Sequence, residues 1–162
     1  MTPDELQRLT PWFRSGERYL NGAVIDWTPI SYRTMAWMKV LREYWGEPIR
    51  LIRGAHPNNP TAVDACCPTL SLGQLATGLM RIPDCSWGLY SGNSFHLDTL
   101  PFEILPRRWC AIRPAEMSEA QARGLAAMFS REQDGWRYCE ALNSPQGFAC
   151  LALVVDLAER QA

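Results

Sequence analysis

The run SWGLYSGNSFHLD, residues 86–98, decides how this chain is read. Two extended stretches, Ser86 to Tyr90 and Ser94 to Leu100, flank Ser91-Gly92-Asn93, a composition suited to reversing a strand. The run therefore predicts a β-hairpin. Alternation along its second strand sends Phe95, Leu97 and Thr99 to one face and His96, Asp98 and Leu100 to the other. One face is built for a core. The other carries an imidazole and a carboxylate side by side, the first place to look for polar chemistry.

Upstream, Ser31 stands where a helix cap is wanted, and Met35, Met38, Leu41 and Trp45 recur at helical spacing. Gly46 ends that helix and Pro48 prevents its return. Ile49 to Arg53 reads as a strand. Gly54 to Pro68, rich in Pro and Asn, reads as a loop, and Leu70 to Met80 as a short helix weakened by Gly73 and Gly78. Thr2 with Glu5 forms a capping box for a helix over about residues 3–9, with Pro3 at its first position. The aromatic, irregular stretch from Pro11 to Pro29 reads as an arm that wraps the body. Downstream, Trp109 to Ile112 suits a further strand. Ser118 with Gln121 opens a helix to about Ser130, and Phe148, Leu151, Ala152 and Val155 mark a last one. The expectation is a single α+β domain over 1–162, a small antiparallel sheet flanked by helices, with 113–162 a helical C-terminal part.

Composition excludes several classes of function. At 47% hydrophobic and 20% charged the chain is globular. A net charge of −1 argues against a large phosphate-binding surface, so nucleic acid is not expected as a partner. The acidic start Met1-Thr-Pro-Asp-Glu5 is not a signal peptide. The longest apolar stretch, Phe148 to Leu157, is too short to span a bilayer. These points lead to an expectation of cytoplasmic synthesis with no membrane partner. The six cysteines, Cys66, Cys67, Cys85, Cys110, Cys139 and Cys150, contain no Cys-x-x-Cys pair and read as buried free thiols. Cys85 or Cys66 with His96 could form a nucleophilic dyad, though nothing nearby marks either thiol as activated. Seven tryptophans leave two readings open: core, or anchors of an interface or groove.

The order of these segments, LREYWGEPIR (41–50), a strand and Gly-containing loop (51–59), SWGLY (86–90), FHLD (95–98) and Arg107-Arg108-Trp109, resembles the D-alanyl-D-alanine carboxypeptidase superfamily, which shares its fold with Hedgehog signalling domains and some phage endolysins. The likeness is strongest over 31–112. In that family a zinc ion is held by a His and an Asp seven residues apart and by a second His on a later strand. A Glu three residues before the second His is the general base. Three protein ligands leave one position for a water whose pKa falls to about 7.

Carried over, the resemblance places the last ligand on His96, with Asp98 as the acidic residue two places on. It places the first His on Ser71, the ligand Asp on Gly78 and the base on Asn93, and the substrate-carboxylate Arg falls near His56. No His lies between Pro57 and Phe95. In that register two ligands and the base are gone, which implies a pseudoenzyme with no cofactor. Such a domain would be a structural or interaction protein, of the kind reused in a phage virion, with other proteins, further copies of itself or a peptidoglycan peptide as partners. The alternative is a peptidoglycan peptidase with a zinc site rebuilt from His56, Asp64, His96 and Asp98. It requires His56 to stand near His96.

Overall fold

A computed structural model describes residues 1–57, 59–82, 85–99, 108–110, 112 and 118. The described part is an α+β fold. Three helices, α1 (Pro3–Gln7), α2 (Tyr32–Trp45) and α3 (Leu72–Leu79), accompany five strands: β1 (Arg50–His56), β2 (Asn59–Cys66), β3 (Ser86–Tyr90), β4 (Ser94–Asp98) and β5 (Arg108–Cys110). The sheet order is β1-β2-β4-β3-β5. The first four strands pair antiparallel, and β5 joins β3 in parallel. The expected helices after Ser118, including the stripe through Phe148 and Val155, lie outside the described residues.

The largest departure from the sequence reading is β2. The interval from Gly54 to Pro68 is not a loop. It holds the end of β1 and the whole of β2, which pairs with β1 on one side and β4 on the other. Pro60 lies near the start of the strand, where a missing N–H is least costly. The run Thr61-Ala-Val-Asp-Ala-Cys66 then continues it through the middle of the sheet.

Register sorts the two faces. Val63 pairs with Leu97 and Ala65 with Phe95, while Trp87 and Leu89 oppose the same two residues from β3. All six are fully buried, and they form the floor on which the helices pack. Alternation then puts Asp64, His96 and Asp98 on the opposite face.

Local chemistry fixes the helices over that floor. Ser31 caps α2 by accepting from the Thr34 N–H, and Gly46 closes it with φ 67, a left-handed conformation that glycine adopts without steric cost. Thr34, Met35, Met38 and Leu41 form its buried stripe. Thr34 Oγ1 donates to the Thr61 carbonyl at 2.6 Å and lies 2.9 Å from Thr99 Oγ1, tying α2 to β2 and to the end of β4. Thr34→Val keeps the shape but strips the half-buried Thr61 carbonyl and the buried Thr99 hydroxyl of a partner. We expect it to cost about 1–3 kcal/mol in urea unfolding.

α3 is capped by Ser71, whose hydroxyl accepts from the Gln74 N–H while the Gln74 side chain returns to the Ser71 N–H. Its Gly78 is a packing requirement: a Cβ there would fall inside the Trp45 indole. Trp45 in turn meets Phe95 edge-on at 5.7 Å. The aromatic arm wraps as expected. Trp12 Nε1 donates to Glu43, Arg42 donates to the Trp12 carbonyl, and the Leu20 N–H donates to Leu51 on β1. Phe13, Ile25, Trp27 and Ile30 are buried. Of the tryptophans described in full, Trp27 and Trp87 are core, and Trp12, Trp37 and Trp45 pack against it.

Candidate metal centre

Four polar side chains converge on the sheet face opposite the one that α2 and α3 cover. β4 supplies His96 and Asp98, β2 supplies Asp64, and the end of β1 supplies His56. Asp64 stands opposite His96 in the β2–β4 register, so their side chains lean together by strand geometry alone. His96 Nδ1 is 2.8 Å from Asp64 Oδ1, and His96 Nε2 is 3.1 Å from Asp98 Oδ2. The second oxygen of Asp64 is 3.0 Å from His56 Nε2. That last contact is short but poorly directed for a hydrogen bond, so His56 Nε2 is buried without a well-aligned partner. The two imidazoles meet edge-on, 5.3 Å between centroids. Asp64 therefore bridges both histidines, and Asp98 holds His96 from behind.

Charge is distributed unevenly over this cluster. Burial works against a charge on His96, yet the hydrogen bonds and the charges of Asp64 and Asp98 outweigh it, and its pKa is raised to about 9. His56 goes the other way. Burial lowers its pKa, and the neighbouring His96 and Arg53 lower it further against the pull of Asp64. At neutral pH the metal-free cluster thus holds a cationic His96, both ring N–H groups donating, beside a neutral His56.

The consequence for stability has a definite sign. A folded-state pKa above the ordinary 6.5 gives stabilisation that is complete below about pH 6.5 and is lost as pH rises through about 9. In chelator, the wild type should lose on the order of 3 kcal/mol more than His96→Gln between pH 6.5 and 10, measured by urea unfolding. The difference isolates His96 from thiols and phenols that also titrate there.

The other positions singled out in the sequence lie elsewhere. Ser71 and Gly78 sit on α3, over the helix-covered face, where one is a cap and the other makes room for Trp45. Asn93 is in the β3–β4 turn at φ 53, a conformation asparagine tolerates, and its amide donates to the Pro68 carbonyl at 3.4 Å. Cys66 and Cys85 are buried thiols outside any disulfide, and burial pushes the Cys66 thiol up. Both ring nitrogens of His96 face carboxylates, Nδ1 toward Asp64 and Nε2 toward Asp98.

One ring nitrogen each of His56 and His96 and one Asp64 oxygen all lie within 4.8 Å of one another. Two imidazoles and a carboxylate at this separation suit a first-row divalent ion, zinc in particular. The residues present therefore fit such an ion. What sequence reading missed was Asp64 as a strand residue, opposite His96 on β4 and within reach of His56 at the end of β1. The available signal was the short apolar run around Asp64, Ala62-Val63 before it and Ala65-Cys66 after it, obscured by Asn58-Asn59-Pro60 upstream. Among known proteins, no family model, no curated protein and no solved structure matches this chain.

Proposed function

We propose that the chain is a zinc-binding domain of the D-alanyl-D-alanine carboxypeptidase type, with the ion held by His56, Asp64 and His96. The convergence of those three donors is the observation that carries the reading. It also suggests a different register for the resemblance. His56 and Asp64 are eight residues apart, one more than the family spacing, and His96 follows on a later strand. The ligand pair then falls on the β1–β2 hairpin instead of on Ser71 and Gly78.

Each side chain has a distinct task in this reading. His56 offers a neutral nitrogen. Asp64 offers a carboxylate already aimed between the two rings. His96 turns Nδ1 toward the same point, while Asp98 on Nε2 fixes the ring plane and favours the tautomer that ligation needs. Once bound, zinc supplies Lewis-acid polarisation of a carbonyl and a water that is acidic near neutral pH. Three ligands leave the position such a carbonyl or water needs.

One observation favours a second reading, in which the domain binds without cutting. The family's base position holds Asn93, whose amide is spent on Pro68 and which offers no carboxylate to take a proton. On this second reading the domain has a structural or interaction role, a virion component among its forms. Zinc-loaded protein mixed with an N-acylated D-Ala-D-Ala peptide separates the two. Release of free D-alanine, abolished in His96→Ala, supports hydrolysis. Zinc-dependent binding without release supports the binder. A protein that neither takes up zinc nor binds the peptide contradicts the proposal.

A further inference from the structure

How His56 reaches the cluster is itself informative, and this inference rests on the metal reading above. The β1–β2 register slips twice, first with an extra residue on β1 and then with extra residues on β2, between Asn59 and Val63. Leu51 pairs with Ala65 and Arg53 with Asp64, so the first irregularity absorbs Ile52. Gly54 then pairs with Val63, and His56 with Asn59 after a second irregularity. Val63 and Ala65 belong to the helix-covered face. Gly54 belongs there too, since a Cβ on it would strike Ile30.

Regular alternation from Gly54 would turn Ala55 toward the His96 face and return His56 to the helix side. The structure shows the reverse for His56: its ring touches His96 and its Nε2 approaches Asp64. Between the two stands Ala55 at φ 40. Residues other than Gly, Asn and Asp rarely take that conformation. A bulge with a left-handed residue is a known way to re-aim a side chain next to a site.

We propose that the left-handed backbone at Ala55 is the device that positions His56 in the cluster, so that Ala55 controls metal affinity without touching the metal. A β-branched residue resists the left-handed region more than alanine does, and glycine accepts it freely. Ala55→Val should return His56 toward the helix side and weaken zinc binding by roughly tenfold or more, toward the level of His56→Ala. Ala55→Gly should bind zinc as the wild type does. In a His56→Ala background, Ala55→Val should have no further effect on affinity, an outcome that general loosening of the hairpin would not produce.

The chain has two histidines, so their ring protons are readily assigned by NMR. In metal-free protein, the cross-relaxation between the His56 and His96 rings should be present in the wild type and in Ala55→Gly, and absent in Ala55→Val. Ala55→Thr serves the same comparison if Ala55→Val does not fold. Persistence of that signal in the β-branched variants, or an affinity loss undiminished in the His56→Ala background, overturns the role of Ala55. Absence of zinc binding by the wild type, with the ring contact still governed by residue 55, overturns the metal reading alone.

Discussion

Asp64→Ala is expected to lower zinc affinity by at least about 100-fold, measured by competition with a chromophoric chelator. Loss of groups that only orient a ligand costs about 10–100-fold, and Asp64 is proposed as a ligand itself. It is also the one described side chain that reaches both rings, 2.8 Å from His96 and 3.0 Å from His56. Its removal therefore takes away a donor and the group that draws the two imidazoles together. Asp98→Asn should have the smaller, orienting effect of about 10–100-fold, because it leaves all three donors in place and weakens only the hold on His96 Nε2. A loss of less than about threefold in Asp64→Ala would place the ion elsewhere.

Gly78→Asp is expected to destabilise the fold by about 3 kcal/mol or more and to leave zinc affinity unchanged. A Cβ at 78 meets the indole of Trp45, which is held on one side by its hydrogen bond to the Gln74 carbonyl and on the other by Phe95. Overpacking of this kind costs about 1–3 kcal/mol, and a carboxylate carried into the same space adds desolvation that nothing there repays. For a chain of this size the melting temperature should fall by roughly 10 °C. The variant also distinguishes two registers. If residue 78 occupied a lost ligand position, restoring aspartate would strengthen zinc binding. The packing of α3 on the far face of the sheet predicts no gain.

The contrast between positions 64 and 78 shows what the sequence makes legible. α2 was readable end to end because each signal is local: Ser31 to cap, Met35, Met38 and Leu41 on one stripe, Gly46 to stop. The β3–β4 hairpin was readable for the same reason, and with it the separation of His96 and Asp98 from Phe95 and Leu97. β2 was not, because Asn58-Asn59-Pro60 signals a loop, and because what makes Thr61 to Cys66 a strand is pairing with β1 and β4, partners distant in sequence.

The departure at β2 also bears on the site, because Asp64 in a loop has no fixed neighbour, whereas on β2 it stands opposite His96. His56 was hidden more deeply. Two slips in the β1–β2 register and the positive φ of Ala55 precede it, and such departures leave no mark in hydropathy.

The central claim, that two imidazoles and one carboxylate from β1, β2 and β4 hold a divalent ion, is tested most directly by X-ray absorption at the zinc edge on protein loaded to one equivalent. The predicted spectrum contains two imidazole nitrogens, oxygen donors near 2 Å and no sulfur at about 2.3 Å. Sulfur in the inner shell would assign the ion to cysteines, and failure to retain one equivalent would leave the His56–Asp64–His96 cluster as a hydrogen-bonded array with no metal to hold.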